Sequence, residues 1–253
     1  MTFDRRTFLS AAGCALTAAA LPSTAAAQGV ISLPDDLVAN DHATVTAVAT
    51  AQPVVAMTFD DGPHPSLTPQ LLDMLAARNI KATFYLIGNR VAQFPAITRR
   101  IAAEGHEIGN HSWSHPFLNG RSDLSVIREI DATTEAIFDV TGRPPVTFRP
   151  PYGAFTNAQR RMLHAHRRLP TILWSVDPQD WRRPGSGVIA SRIVSHSRPG
   201  AIILTHDIHS GTIAAMPATL DGLTGRGLRF VTVSQMLGWP LWQSRHFRRV
   251  AAS

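Results

Sequence analysis

Cysteine is nearly missing from this 253-residue chain: Cys14 is the only one. It lies in an N-terminal segment with the marks of a signal peptide, so the mature chain is expected to carry no thiol. That excludes disulfides, Cys-ligated metal sites and cysteine nucleophiles. Lysine is just as scarce. Lys81 is the one lysine among 24 basic side chains, and the net charge is +6. A basic surface suits a polyanion. Yet there is no zinc finger, no aromatic RNA-binding signature and no long basic run, so no nucleic-acid partner is expected. An anionic cell-wall polymer fits the charge as well. The apolar run from Phe8 to Leu21 is too short to serve comfortably as a permanent membrane anchor.

What the N-terminus does have is a signal for export. Arg5-Arg6 precede the Ala-rich apolar run, and Ala25-Ala26-Ala27 before Gln28 form a small-residue cleavage site. Arg-Arg-x-Phe-Leu resembles a twin-arginine signal, which would export a folded, metal-loaded protein; an ordinary secretory signal with two arginines is the alternative. The expected organisation is a signal peptide at 1–27, an N-terminal arm at 28–52, one catalytic domain at 53–240 and a basic tail at 241–253. The expected location is the periplasm or the medium, with no stable membrane anchor after cleavage.

Apolar content is 44%, ordinary for a globular domain. Short apolar runs at 53–59, 81–87, 106–109, 146–149, 171–175, 201–205 and 228–233 predict strands buried on both faces, as in parallel sheets. Helical patterns fall between them. Thr68-Pro69 predict an N-cap and first helical position. A second helix is predicted from Pro95 to Gly105, a third from Asp123 to Asp139, and others at about 156–167, 187–197 and 213–224. Strands alternating with helices imply a parallel α/β fold, either a doubly wound sheet or a closed or distorted barrel.

Polar residues then cluster at the carboxyl ends of these strands, where α/β folds carry their active sites. Asp60-Asp61 follow the first strand and "GNHSWSHP" (Gly109 to Pro116) the third. "RPPYG" (Arg149 to Gly153), "DPQDW" (Asp177 to Trp181) and "THDIH" (Thr205 to His209) follow the next three. Adjacent carboxylates would repel each other in any shared role. Beside His111 and His115, four apart and on one face if the segment makes a helical turn, they acquire separate ones. One carboxylate and two imidazoles make a three-ligand metal site with open positions. The other carboxylate stays free to take a proton from an attacking water. Neighbouring strand residues point to opposite faces, so the strand must break there, and Gly62-Pro63 supply the break.

"TFDDGP", "GHEIGNHSWSHP", "RPPYG", "DPQDW" and "LTHDIH", in this order, resemble the polysaccharide deacetylase family, carbohydrate esterase family 4, over roughly residues 53–238. The resemblance implies a distorted (β/α)7 barrel in a single catalytic domain. It implies Asp60 as general base, with Arg149 orienting it, and Asp61, His111 and His115 as metal ligands. It implies a Tyr152 backbone N–H for the oxyanion, and Asp180 paired with His206 as general acid. Trp181 and Leu204 would line the substrate groove and the acetyl pocket. The implied cofactor is a divalent metal, Zn2+ by default, with Co2+, Mn2+ or Ni2+ also compatible with the ligand set. The implied reaction is removal of N-acetyl groups from N-acetylglucosamine residues of a polysaccharide or oligosaccharide: chitooligosaccharide, peptidoglycan or exopolysaccharide. Alternatives are an O-acetyl esterase on a xylan-like polymer and an inactive carbohydrate-binding relative. His209 is expected to have a structural or groove role, and His106 to satisfy a local hydrogen bond.

Overall fold

The computed structural model describes residues 44–239. The expected signal peptide, residues 28–43 of the expected arm and the basic tail lie outside the described residues. Among the described residues, no helix is long and apolar enough to cross a membrane.

The run Val54-Val-Ala-Met-Thr-Phe-Asp60 has no polar alternation, and it forms a strand buried along its whole length. It is the hub of a parallel sheet. The strands are β1 (Thr44–Val45), β2 (Val54–Asp60), β3 (Thr83–Leu86), β4 (Glu107–Asn110), β5 (Thr171–Ile172), β6 (Ile202–His206) and β7 (Arg229–Phe230). β2 pairs with β6 and β3, β3 pairs with β4, and β7 joins the start of β2, all in parallel. Single bridges complete the circle. Phe148 links Asn110 of β4 to Thr171 of β5, and Val176 links onward to Ile203 of β6. The result is an irregular closed ring with helices outside it, the distorted barrel the motifs imply.

The helices are α1 (Leu67–Ala77), α2 (Gly88–Gln93), α3 (Pro95–Ala103), α4 (Asp123–Thr141), α5 (Asn157–Arg167), α6 (Ser186–His196), α7 (Ser210–Gly225) and α8 (Val233–Met236). Their ends follow local chemistry. Ser122 accepts from the Ser125 N–H at the start of α4, and left-handed Gly142 (φ 71) closes it. Thr156 and Gln159 form a reciprocal capping box on α5. Leu71, Leu72, Leu75, Ile137, Ile189 and Leu220 pack against Met57, Phe59, Phe84 and Ile203 of the sheet in the main core.

Four expectations need correction. Residues 146–149 do not form a ladder strand; only Phe148 bridges its neighbours. Pro144-Pro145 before it and Pro150-Pro151 after it have no N–H with which to extend the ladder at either end, and they restrict its backbone. Thr68 is not the cap of α1. Ser66 occupies that position, and the Thr68 hydroxyl bonds inward to Asp207. The runs at 171–175 and 228–233 give strands of two residues each, and α2 was not anticipated. Finally, part of the expected arm belongs to the barrel: β1 pairs with β5, and Val48 N–H donates to Gly200 O at 3.0 Å.

That last contact makes a prediction. Gly200 has φ +80, and a Cβ there would collide with the Val48 carbonyl. Gly142 has φ +71 but nothing within 4 Å of its Cβ position. Gly142→Ala should cost about 1–2 kcal/mol for the left-handed backbone alone. Gly200→Ala should cost a further 1–3 kcal/mol or so for the collision. Denaturant unfolding measures both; equal losses would mean that the 44–54 segment does not pack as described.

Candidate active site and metal centre

β2 and β6 end side by side, with Asp60 in register with His206. This places a carboxylate and an imidazole from distant parts of the sequence on one rim. Asp60 continues the strand and is 3% exposed. Asp61 does not: its φ is +72, so the chain turns there. The break expected at Gly62-Pro63 thus begins one residue earlier, at Asp61 itself.

Asp60 is fixed from below. Arg149 is fully buried, and its Nη1 donates to Asp60 Oδ1 and Thr58 Oγ1, each at 2.7 Å. Its Nη2 and Nε donate to the carbonyls of Leu173 and Ile172, and its guanidinium lies 4.2 Å from the Tyr85 ring centroid. A buried cation is tolerable only when its donors are satisfied in this way.

Asp61, His111 and His115 converge. Asp61 Oδ1 lies 3.4 Å from His111 Nε2 and 3.2 Å from His115 Nε2. The His111 Nδ1–H donates to the Arg149 carbonyl at 2.7 Å, which leaves its Nε2 lone pair facing the site. Burial alone would raise the Asp61 pKa, but the adjacent His111, with His115 and His206, holds it well below the usual carboxylate range. Burial lowers that of His115, and His111 adds to the effect, so its ring favours the neutral form that binds metal. Among the described residues Asp61 Oδ1 is buried with no hydrogen-bond partner. An ionised oxygen and two imidazole lone pairs aimed at one point, within 4.8 Å of one another, fit a divalent cation. They reach this geometry without a helical turn from His111 to His115. The segment is an irregular loop with left-handed Ser112 (φ 65) and His115 (φ 56).

Across the rim stands the second imidazole system. The His206 Nδ1–H donates to Asp180 Oδ1 at 2.8 Å, and the His206 backbone N–H to Oδ2 at 2.8 Å. Thr212 Oγ1 and the Trp181 N–H complete the shell of Asp180, which is 1% exposed. Burial would depress the His206 pKa. The bond and charge of Asp180 overcome this, helped by Asp60 and Asp61, and raise it to about 9.

Tyr152 sits in a left-handed turn (φ 60), 65% exposed, its ring 4.6 Å from that of His115. Trp181 is 47% exposed at the rim, not core, with Arg182 stacked on it at 4.6 Å. Leu204 is buried on β6, two residues before His206 and so on the same face. His209 precedes α7, its ring 5.8 Å from that of His206, and lines a cleft of about 440 Å³ with Asp180 and Arg183. His106 accepts from the Ala82 N–H at 3.1 Å, as expected. The motifs did not single out Asp207, which is buried beneath Gly62; burial, with the nearby Asp61 charge, raises it to about 7. Its position beside His206 in "THDIH" was the available signal. Nor did they single out Thr212 or Glu129, which lie on helices and carry no short-range mark.

Comparison with known proteins agrees with the motifs. The polysaccharide deacetylase profile matches residues 47–168. The chain is 42% identical over 184 residues to the peptidoglycan-N-acetylglucosamine deacetylase PgdA of Listeria monocytogenes, covering 73% of this chain and 39% of that one. It is 38% identical to a chitooligosaccharide deacetylase of Rhizobium leguminosarum bv. trifolii, covering 76% of this chain and 87% of that one. The crystal structure of the Bc1960 peptidoglycan N-acetylglucosamine deacetylase superposes with a TM-score of 0.75 at 34% identity, covering 78% and 94% of the two chains. The chain belongs to the polysaccharide deacetylase family. It spans about two fifths of the length of the Listeria relative.

The His206 environment predicts a pH profile. The motifs imply His206 as general acid, which must be protonated to act, so kcat/KM should fall as pH rises through the His206 pKa, near 9. Asp180→Asn removes the group that raises it and leaves the burial that lowers it. The alkaline limb should then move down by about 1–3 pH units. An unmoved limb would mean that His206 is not the acid.

Proposed function

We propose that the chain is a metal-dependent hydrolase that removes N-acetyl groups from N-acetylglucosamine residues of a polysaccharide outside the cytoplasm. The observation that carries this is the separation of Asp60 from Asp61. Asp60 is bonded through Oδ1 to Arg149 and brings its Oδ2 to 3.7 Å from His111 Nε2, whereas Asp61 Oδ1 faces both imidazoles, at 3.4 and 3.2 Å. A binding protein has no need of a free, oriented base beside a metal site, nor of a charged imidazole opposite.

Asp61, His111 and His115 would hold the cation, zinc by default, with cobalt, manganese or nickel also suited to these donors. When bound, it supplies Lewis acidity toward the attacking water and the amide carbonyl. Asp60 takes the proton from that water as it attacks. The Tyr152 backbone N–H donates to the developing oxyanion, a contribution of about 3–4 kcal/mol for one such donor. His206 gives its proton to the departing amine, and Asp180 keeps the imidazole charged until then. Trp181 and Leu204 would contact the sugar and the acetyl methyl. Acetate and a free amino sugar leave.

The relatives, a peptidoglycan and a chitooligosaccharide deacetylase, support peptidoglycan and chitooligosaccharide as candidate polymers. The net charge of +6 favours the anionic one. The segment at 1–27 supports export, through the twin-arginine pathway, to the periplasm or beyond.

Acetate release by the mature chain from Gln28 tests the reading, with chitooligosaccharides, peptidoglycan and acetylated xylan as substrates. We expect release from the amide substrates, loss with chelator and recovery with zinc. Asp60→Asn should lower turnover by at least 100-fold while zinc stays bound. Release from xylan alone would make the chain an esterase, and undiminished turnover in Asp60→Asn would overturn the assignment of the base.

A further inference from the structure

Nothing in the His111–His115 loop supplies the hydrogen bonds that a helical turn would. Two non-glycine residues in left-handed conformation, Ser112 and His115, cost about 1–2 kcal/mol each and persist only where the surroundings hold them. Those surroundings are the Asn110 side chain, whose Oδ1 accepts from the Ser112 N–H at 2.9 Å, and two helices. From the first turn of α2, Gly88 N–H and Asn89 N–H donate to the carbonyls of Ser112 and Trp113, both at 3.0 Å. From α4, Glu129 takes the amides on the other side. Trp113 N–H and Ser114 N–H both donate to Glu129 Oε2 at 2.9 Å, and Ser114 Oγ donates to Oε1 at 2.9 Å. One carboxylate thus holds three donors from the two residues just before His115.

The two imidazoles are not equally secured. His111 follows β4 directly and is locked through its Nδ1 by the Arg149 carbonyl. His115 is aimed by its own left-handed backbone, by its N–H bond to Ser112 Oγ at 3.2 Å, and by edge contacts with the His111 and Tyr152 rings. Its direction therefore depends on where residues 112–114 sit. Hydrogen bonds to a carboxylate are about twice as strong as neutral ones. The clamp also needs reach: a side chain one methylene shorter cannot bring an oxygen to both amides from the same helix position.

We propose that Glu129 is a positioning residue for the metal centre, a clamp on the Trp113–Ser114 amides that aims His115 at the site shared with Asp61 and His111. The proposal rests on the metal-centre reading above. It predicts an order of side chains. Glutamine keeps the length and can turn its carbonyl oxygen to the two amides, so it should preserve the clamp. Aspartate keeps the charge but loses the reach, and alanine loses both.

The test is zinc affinity of the metal-free protein by chelator competition, with the visible spectrum of the Co2+ form and circular dichroism to confirm folding. Wild type is compared with Glu129→Gln, Glu129→Asp and Glu129→Ala. We expect the Asp and Ala variants to bind zinc about 10–100-fold more weakly, with altered cobalt bands, and Gln to stay within a few-fold of wild type. Should Ala fail to fold, Asp carries the comparison. Wild-type affinity and spectrum in a folded Asp variant would overturn the proposal and leave the metal centre standing. A loss in Gln as large as in Asp would assign the effect to charge and overturn the clamp. Failure of wild type itself to bind metal would overturn the metal centre and the proposal together.

Discussion

The buried guanidinium of Arg149 is the constraint on which the site depends. A permanent cation inside a barrel is costly unless each of its donors finds a partner, and removing one partner of such a pair costs about 3–5 kcal/mol. Here the partners are the site. Arg149 donates to Asp60, to Thr58 of the same strand and to the carbonyls of Ile172 and Leu173. Its own carbonyl accepts from His111, and its own N–H donates to Asn110 O at 2.9 Å. One residue therefore orients the proposed base, sets the tautomer of one proposed ligand and helps close the ring between β4 and β5. The base cannot shift without disturbing the core that surrounds the arginine.

A second principle is the separation of charge states. Three carboxylates and three imidazoles crowd one rim, yet their environments push them apart. Asp61 is held ionised by the imidazoles facing it, and burial favours the neutral form of His115. Asp180, itself held ionised chiefly by its bonds to His206 in spite of burial, keeps that imidazole protonated at neutral pH. Groups of the same two chemical types are thereby suited to the proposed roles of ligand, acid and support, the general way in which one site runs acid and base chemistry together.

Much of this was legible in the sequence, for identifiable reasons. The all-apolar run before Asp60 could only be a strand buried on both faces, and five polar motifs at strand ends gave the rim and its residues. The readings that failed depended on contacts far along the chain. Thr68 looks like a helix cap until Asp207, 139 residues away, accepts its hydroxyl. The spacing of His111 and His115 suits a helical turn until α2 and Glu129 of α4 take the backbone groups that a helix would pair internally. Residues 146–149 read as a strand by composition, but the flanking prolines leave only one bridging residue. Local patterns carry information about buried faces; they carry none about which distant side chain will claim a hydrogen bond.

The central claim is that Asp61, and not its neighbour Asp60, joins His111 and His115 around the metal. Crystals grown with zinc and measured on both sides of the zinc absorption edge test it directly. The account predicts one anomalous peak about 2.0–2.2 Å from an Asp61 carboxylate oxygen and from Nε2 of both histidines, with Asp60 still bonded to Arg149 and outside the ligand set. A peak ligated by Asp60 in place of Asp61, or zinc bound only elsewhere, would contradict it.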